Sequence, residues 1–383
     1  MQCRPVRHPG GRRGCAIAAR RALLALALAG CASAPPPSGL HVVSAPDPSR
    51  SERYCAWYGD SDGDTLYAGL SPFWWSMRHA GDDPMADLDQ PGPQWVGRFD
   101  LASESWLPPL DVATPEARSG VWDVHVADDD AVYFTVFHET SGRVDPRDGA
   151  VRHFESAGSG LNELAPGPDG DVLASRYGGG NGAKAGGELL TLDASGDISQ
   201  RWPMPAPLGW FAAPKTPAWN PVRRRLVATT DLLAEFEGEL RHDSYQLELD
   251  APGWAIQPDP ELQFVAAGAD GMEYRVEAHE DGKLWLRRIR PPGQEPSDQW
   301  VQLDAEFPRS VDFAQDLKIA PDGRVVVTRW SGAVHVVSPN GRVETVQLPK
   351  LEPNGLYYTA VLRGERLCAT WCAGVTVVCT DAP

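Results

Sequence analysis

Three carboxylate side chains occupy the same position in a repeated apolar segment. Asp123, Glu163 and Asp316 each stand near the start of a short run rich in apolar residues, and Asn162 directly precedes Glu163. If these runs are strands that converge on one axis, their side-chain oxygens suit a hard cation such as Ca²⁺ or Mg²⁺. The pattern therefore predicts a Ca²⁺ or Mg²⁺ site at these four residues. The alternative is a structural ring in which the acids pair with nearby arginines.

Five further side chains are candidate ligand-binding groups on the same face. Arg176 and Arg329 end the apolar runs that follow the second and third acid. Trp74, Trp75 and His79 belong to a long polar segment, and their rings could stack on a sugar or an aromatic ligand. The alternative for most of the 14 tryptophans is packing inside the fold.

An internal repeat positions these groups. The segment PDGDVLASRY at 168–177 matches PDGRVVVTRW at 321–330, which lies 153 residues, or three periods of 51, further on. Each match is followed by a strand–turn–strand pattern, GELLTLDASGDISQRW at 187–202 and AVHVVSPNGRVETVQL at 333–348. Sustained helical periodicity is absent, so each unit predicts four short strands.

Seven such units fit the chain, which predicts an all-β fold, a seven-bladed β-propeller of four-stranded blades. A six-bladed ring is the alternative, because 206–304 is the least regular part. The last unit has three strands after Glu352, and residues 40–44 could supply its fourth. In this alignment Phe264 and Tyr358 take the acidic position in units five and seven. The first strands are anchored at Trp57, Val124, Leu164, Ala218, Val265, Leu317 and Thr359.

The first thirty residues resemble a bacterial lipoprotein signal. Six arginines and no acid precede residue 31, and the apolar run ALLALALA ends in Leu-Ala-Gly-Cys at 28–31. The resemblance implies a signal peptide at 1–30, lipidation of Cys31 and, because Ala32 follows, an outer-membrane location facing the periplasm or the cell surface. An ordinary signal peptide is the alternative. Residues 31–51 then form a Pro- and Ser-rich tether, and 52–383 form the propeller.

Four cysteines follow the predicted anchor: Cys55, Cys368, Cys372 and Cys379. An even number in an oxidising compartment predicts disulfides. A two-residue turn at 373–374 would set Cys368 opposite Cys379, and it would leave Cys372 on the same face as Cys55 in the adjacent blade. We therefore predict Cys368–Cys379 and Cys55–Cys372, with four buried free thiols as the alternative.

The charge excludes one class of partner. The chain has 52 acidic and 35 basic side chains, for a formal net charge of -17. Nucleic-acid binding through the phosphate backbone requires clustered Lys and Arg, so we expect no nucleic-acid partner.

Two families resemble parts of the repeat. The stretch NELAPGPDG at 162–170 resembles the N-G-L-A-x-x-P-D-G segment of the senescence-marker-protein/gluconolactonase propellers, which implies that Asn162 helps to bind a divalent metal. Units two, three and six also resemble virginiamycin B lyase repeats, which implies seven blades. The early Glu-Gly-Pro motif of the first family is absent, and no histidine aligns with the lyase site. The resemblance therefore implies the fold more than the function.

Two functional hypotheses follow. In the first, a lipid-anchored extracytoplasmic propeller binds a small molecule, a sugar or a protein on its top face without catalysis, with the membrane as its second partner. In the second, a metal-dependent lactonase, hydrolase or lyase has its site at the channel mouth.

Overall fold

The computed structural model describes residues 38–45, 54–72, 94–114, 120–136, 139–177, 187–206, 210–234, 239–250, 253–308, 312–352, 355–372 and 374–382. No helix within these ranges is long and apolar enough to cross a membrane.

Seven four-stranded antiparallel sheets make up the described fold, which confirms the seven-bladed prediction and excludes six blades. The first strand in the chain is β1 (His41–Ser44). Blade one contains β2 (Cys55–Ser61), β3 (Thr65–Ser71), β4 (Trp95–Asp100) and β5 (Ser105–Asp111). Blade two contains β6 (Val121–Val126), β7 (Val132–Val136), β8 (Gly142–Val144) and β9 (Val151–His153). Blade three contains β10 (Leu161–Pro166), β11 (Val172–Arg176), β12 (Glu188–Leu192) and β13 (Ile198–Pro203), with a 3₁₀ turn at Pro168–Gly170.

The remaining four blades follow the same order. Blade four contains β14 (Trp210–Asn220), β15 (Arg225–Ala234), β16 (Leu240–Glu248) and β17 (Ala255–Pro258). Blade five contains β18 (Leu262–Ala267), β19 (Glu273–Ala278), β20 (Leu284–Ile289) and β21 (Asp298–Asp304). Blade six contains β22 (Ala314–Ile319), β23 (Val325–Arg329), β24 (Ala333–Val337) and β25 (Val343–Gln347). Blade seven contains β26 (Leu356–Arg363), β27 (Arg366–Cys372) and β28 (Val375–Asp381).

The N-terminal strand β1 completes blade seven. It pairs antiparallel with β28, from His41 opposite Cys379 to Ser44 opposite Thr376. The last strand of the chain therefore has a hydrogen-bonded neighbour on both sides. Because an unpaired strand edge is a site for aggregation, this pairing also protects the end of the ring.

The hydrophobic core is divided among the contacts between blades. One cluster joins blades five and six and includes Val276, Leu286, Leu317 and Val327, all at most 5% exposed. Similar clusters join six to seven, seven to one, one to two, two to three and three to four. Strands rich in Val and Leu on both faces fit this arrangement, because each blade is covered on both sides by its neighbours.

The first strand of every blade contains a shift of register. The shifts lie between Ala56/Gly59, Val121/Val124, Leu161/Leu164, Lys215/Ala218, Leu262/Phe264, Ala314/Asp316 and Tyr357/Ala360. Such bulges re-aim side chains and are common next to functional sites. In blade one the residue opposite the bulge is Gly69, where a Cβ atom would lie 2.8 Å from the carbonyl oxygens of Val121 and Trp122. Glycine therefore lets blade two approach blade one closely.

The segment LLAEFEGELRHDS at 232–244 predicts a loop that interrupts blade four, and the structure differs from this prediction. β15 continues to Ala234 and β16 begins at Leu240, so most of that segment is a hairpin extension of the sheet. The register runs without a break from Arg225 opposite Glu248 to Leu233 opposite Leu240. Polar side chains at this end of the sheet, among them Asp231 and His242, line a cavity of the channel.

Both predicted disulfides are confirmed. Cys368 and Cys379 are directly opposite in the β27–β28 ladder and bonded, and Cys55 is bonded to Cys372. The second bond joins residues 317 positions apart and connects blade one to blade seven. Disulfides form and persist in oxidising compartments, so the pairing indicates an extracytoplasmic location.

We expect the two disulfides to contribute unequally to stability. Cross-linking lowers the entropy of the unfolded chain more when the closed loop is longer. The sequence separations are 317 and 11, so replacing Cys55 and Cys372 by Ser should lower the free energy of unfolding by about 3 kcal/mol more than replacing Cys368 and Cys379. Guanidinium unfolding of the two double variants measures this. Equal losses would contradict the ring-closing role of Cys55–Cys372.

Candidate functional site

The bulges create a ring of hydrogen bonds around the channel. The N–H groups of Asp123, Glu163 and Thr359 each donate to a hydroxyl of the adjacent strand, those of Thr135, Ser175 and Thr370, at 3.1 Å in each case. These Ser and Thr residues satisfy a backbone donor that the shifted ladder leaves over. The equivalent position in blade seven is thus Thr359, and the assignment of Tyr358 to the acidic position was wrong by one residue.

The same hydroxyls also connect neighbouring blades. The Thr135 hydroxyl donates to the carbonyl of Asn162 in blade three (2.7 Å), and the Thr370 hydroxyl donates to the carbonyl of Trp57 in blade one (3.1 Å). Each of these two threonines therefore accepts a hydrogen bond from the bulged strand of its own blade and donates one to the next blade.

The three predicted acids bind the neighbouring blade by their carboxylates. Asp123 accepts hydrogen bonds from the N–H groups of Val124 and of Leu164 in blade three, both at 2.8 Å. Glu163 accepts from the N–H of Thr216 in blade four. These contacts give both acids a structural role in joining blades.

Asp316 continues this pattern towards the ring closure. Its carboxylate accepts from the Thr359 hydroxyl in blade seven (2.8 Å), and that hydroxyl accepts from the N–H of Gly59 in blade one (3.0 Å). A chain of hydrogen bonds therefore runs from blade six through blade seven to blade one.

A lysine lies among these acids. The Lys318 ammonium is 3.7 Å from Asp316 and 3.9 Å from Asp60, and it follows Asp316 by two residues, so both face the channel. His125 follows Asp123 in the same way, and its Nδ1 lies 2.8 Å from Asp60. All of these side chains line one cavity of about 380 Å³, which we call the lower cavity.

The lower cavity is electrostatically compensated from within. Burial alone would raise the pKa of Asp60, but Lys318 and His125 outweigh burial and hold this pKa well below its usual range. Burial raises the pKa of Asp316 against the influence of Lys318, and it raises the pKa of Asp123 well above the usual range. The carboxylates keep the pKa of Lys318 high in spite of burial, so its charge balances the acids.

This geometry does not favour the Ca²⁺ or Mg²⁺ site predicted at Asp123, Asn162, Glu163 and Asp316. Within the described ranges, the three carboxylates are not among the groups whose ligand atoms lie within 4.8 Å of one another. A Ca²⁺ ion requires oxygens at roughly 2.3–2.6 Å on several sides. The Lys318 ammonium of the chain itself lies 3.7 Å from the Asp316 carboxylate.

The two predicted arginines form ion pairs at the edges of their blades. Arg176 pairs with Glu188, and Arg329 pairs with Asp312 and Asp304. Neither arginine lines the lower cavity or the second cavity, the upper one, which is described next. Their partners differ from the acids of the channel, so the alternative of a structural ring, in which these arginines pair with Asp123, Glu163 and Asp316, is not the arrangement observed.

The upper cavity has a volume of about 540 Å³ and an aromatic wall. The rings of Trp57 and Trp122 are stacked with centroids 4.5 Å apart, and Tyr358 lies 4.5 Å from Trp57. The Tyr58 hydroxyl donates to Gln315 at 3.1 Å. The aromatic lining residues from blades one, two, five, six and seven are Trp57, Tyr58, Trp122, Phe264, Phe313, Trp330 and Tyr358, and Tyr177 of blade three adds an eighth ring on the other side of the cavity.

The opposite wall of the upper cavity is polar and contains four carboxyl groups together with Lys215 and His242. Asp231, on the extended β15, pairs with Lys215 and with His242 Nδ1 (2.8 Å). Burial would raise the pKa of Asp231, but these two partners lower it, so the group is ionised at neutral pH. The polar lining residues from blades three, four and five are Asn162, Glu163, Lys215, Thr216, Thr229, Asp231, His242, Asp243, Asp259 and Gln263.

Sequence reasoning missed the residues that compensate and surround the acids. Lys318, Asp60 and His125 belong to blades six, one and two, and each lies two residues after the channel-facing position of its strand. The alternation signal was present for all three. His242 lies in the segment 232–244, which the sequence predicts as a loop, and Asp231 directly precedes that segment.

Trp74, Trp75, His79 and Cys31 lie outside the described residues, so ligand binding by the first three and lipidation of Cys31 stay predictions.

Solved structures share this fold at low sequence identity. The chain is similar to a catalytically inactive variant of virginiamycin B lyase from Staphylococcus aureus, crystallised with Quinupristin, at 13% identity and a TM-score of 0.56 over 89% of this chain and 98% of that one. It is also similar to YCF48 bound to a D1 peptide, at 11% identity and a TM-score of 0.53 over 91% and 100%. No protein-family model and no curated protein matches the sequence. The likeness confirms the propeller fold that the repeats predicted.

Glu163 should make stability depend on pH. Burial raises its pKa to about 7 despite the hydrogen bond from Thr216, so the folded state holds a proton that the unfolded state releases near pH 4.5. Stability attributable to this group therefore falls as pH rises from about 4.5 to 7. We therefore compare the effect of Glu163→Gln on the free energy of unfolding at two pH values. Relative to the wild type, we expect the substitution to be more favourable at pH 8 than at pH 4.5, by up to about 3 kcal/mol.

Chemical unfolding of the wild type and Glu163→Gln at both pH values measures this difference. Glu352→Gln, at an exposed position, is the control and should show no such difference. Equal effects of Glu163→Gln at pH 4.5 and pH 8 would contradict the buried, protonated state of this carboxyl.

Proposed function

We propose that the chain is an extracytoplasmic β-propeller that binds a small ligand in the upper cavity without catalysis. The observation that carries the proposal is that one side of this cavity is mainly aromatic and the other is polar with four carboxyl groups. Its volume of about 540 Å³ lies in the range of small-molecule sites, which combine apolar surface with a few placed polar groups.

The ligand class that fits both walls is an organic cation with a flat apolar group. Trp and Tyr faces attract a cation through their ring quadrupole. Asp231 adds an ionised carboxylate whose side chain is 23% exposed. The lining also includes Asp243, which is paired with Arg241, and Asp259, which lies 3.7 Å from Arg275. The formal charge of -17 would raise the local concentration of a cationic ligand.

The similar structures support a binding role. One was crystallised with Quinupristin and the other is bound to a peptide, so this fold accommodates ligands of both sizes. We favour a small ligand over a protein because the two contrasting walls face each other within one cavity. A sugar is a weaker candidate, since it would use the aromatic wall without using the negative charge.

A metal-dependent lactonase, hydrolase or lyase at the channel mouth has less support. It required Asp123, Glu163 and Asp316 to share one ion, and their carboxylates instead bind the backbone and hydroxyl groups of neighbouring blades. The lower cavity therefore serves the stability of the ring in this proposal.

We further propose that the propeller is attached to the outer membrane through Cys31, facing the periplasm or the cell surface. Two disulfides support an oxidising compartment. The Leu-Ala-Gly-Cys sequence at 28–31 supports lipidation, and several acyl chains on one residue would anchor the protein stably.

Ligand binding can be tested with three naphthyl compounds that differ only in charge: 2-naphthylethylamine, 2-naphthylacetamide and 2-naphthylacetate. We expect the amine to bind most tightly, followed by the amide and the acetate, in a titration followed by tryptophan fluorescence and calorimetry. Asp231→Asn should weaken binding of the amine by roughly 5–30-fold, as expected for loss of a partly desolvated charge contact, and leave the amide unchanged. Trp122→Leu should weaken both.

Trp300→Leu is the matched control, because Trp300 is 43% exposed and lies on β21, outside the cavity. Binding in this variant should equal that of the wild type. Equal affinity for all three compounds would contradict the cationic class, and equal binding in Trp122→Leu and Trp300→Leu would contradict the site.

Membrane attachment gives a separate prediction. The wild-type protein should partition into the detergent phase of Triton X-114 and incorporate an alkyne-labelled fatty acid, while Cys31→Ala should do neither. Cys15→Ala is the control and should behave as the wild type. Fatty-acid labelling that persists in Cys31→Ala would exclude this residue as the anchor.

A further inference from the structure

Blade five contains a group of three potential metal ligands away from the channel. Glu261, Glu277 and His279 each offer one ligand atom, and these atoms lie within 4.8 Å of one another. In the portion of the chain that the structure describes, this is the one such group of His, Cys, Asp and Glu side chains. None of the three lines the upper or the lower cavity.

The strand geometry of blade five brings the three side chains together. Glu277 and His279 are two residues apart at the end of β19, so both point to the same side. Glu261 directly precedes β18, and its carbonyl accepts a hydrogen bond from the N–H of Ala278 (2.6 Å). The backbone therefore fixes Glu261 beside the other two.

The distances between the three groups are also those of ligands around an ion. His279 Nε2 forms a long hydrogen bond with Glu277 Oε2 at 3.4 Å and lies 3.8 Å from Glu261 Oε2. A charge-assisted N–H···O bond is shorter, at roughly 2.7–2.9 Å. Ligand atoms around a tetrahedral ion with bonds of about 2.0–2.2 Å lie roughly 3.3–3.6 Å apart, close to the spacing observed here.

Surrounding contacts orient two of the three groups. The second oxygen of Glu261 accepts a hydrogen bond from the N–H of Glu280 (3.2 Å), which leaves Oε2 directed to the group. The His279 ring lies against Trp285 and Trp300, with centroids 6.1 and 5.6 Å away. Such outer contacts are typical of metal sites because they fix ligand orientation.

Burial adds a second, independent observation. The Glu277 side chain is only 9% exposed and is directed into the group, whereas those of Glu261 and His279 are 34% and 29% exposed. His279 is the hydrogen-bond partner of the Glu277 carboxylate in this structure, and an ion bound between them would compensate the buried charge more fully. The exposed flank gives an ion and a water molecule access.

We propose that Glu261, Glu277 and His279 bind one divalent transition-metal ion, with Zn²⁺ as the preferred ion and a fourth position open to water. Zn²⁺ accepts both imidazole nitrogen and carboxylate oxygen as ligands, and sites with three protein ligands keep a fourth position for water. The imidazole nitrogen makes Ca²⁺ and Mg²⁺ poor occupants, since both prefer oxygen. The site is independent of the ligand proposed for the upper cavity.

Metal binding to the full-length protein tests the proposal. After chelator treatment and its removal, Zn²⁺ should bind with a stoichiometry near one in calorimetry, and Co²⁺ should give a visible absorption band from coordination by His279. Glu261→Gln and His279→Gln should each lower Zn²⁺ affinity at least roughly 10–100-fold and remove the Co²⁺ band. Ca²⁺ at the same concentration should not compete.

His41→Gln is the matched control, because His41 Nδ1 also faces a glutamate, Glu104, at 2.6 Å and its side chain is 54% exposed. It should bind Zn²⁺ as the wild type does. Glu261→Gln is the deciding variant, since it keeps the shape of a partly exposed side chain, and circular dichroism confirms its fold. Unchanged Zn²⁺ affinity in folded Glu261→Gln, the absence of saturable binding in the wild type, or full competition by Ca²⁺ would each overturn the proposal.

Discussion

A buried backbone N–H must find an acceptor, and the architecture of this channel depends on how the bulged strands meet that requirement. The shifted ladder frees one donor in the first strand, and Thr135, Ser175 and Thr370 accept it in three of the blades. Because the Thr135 and Thr370 hydroxyls also donate to the next blade, local repair of the ladder and association between blades are one interaction. The carboxylates of the channel extend it, and Lys318 provides the charge that makes their burial tolerable.

The sequence was sufficient for the architecture because the repeat is local. The P-D-G turns at 168–170 and 321–323 are separated by whole periods. Blades one to six each form their sheet from consecutive strands, and blade seven adds β1 to three consecutive strands. The Cys368–Cys379 pair was predictable for the same reason, since a tight turn fixes the register of a hairpin. Strand alternation therefore carried enough information for blade number and one disulfide register.

The site was harder to predict because it is assembled across blades. Asp60 and Lys318 are neighbours only once seven blades close into a ring, and no spacing in the sequence marks their proximity. A bulge also moves the channel-facing position by one residue, which explains why Thr359 and not Tyr358 takes the acidic position. The hairpin of blade four was hard to predict because its second strand contains a run of polar residues, Arg241 to Ser244, in which His242 and Asp243 line the cavity instead of an exposed surface.

The Cys55–Cys372 bond has a mechanical consequence. It turns the chain between these residues into a covalent loop that contains six complete blades and two of the four strands of the seventh. A force applied between residues 38 and 382 would pass through the disulfide, and blades one to six would carry none of it as long as the bond is intact. Only β1, the chain that leads to Cys55 and the last residues after Cys379 can be pulled out, because the Cys368–Cys379 bond holds β28 on β27. Reduction of Cys55–Cys372 would convert a force-shielded ring into a chain that unravels blade by blade.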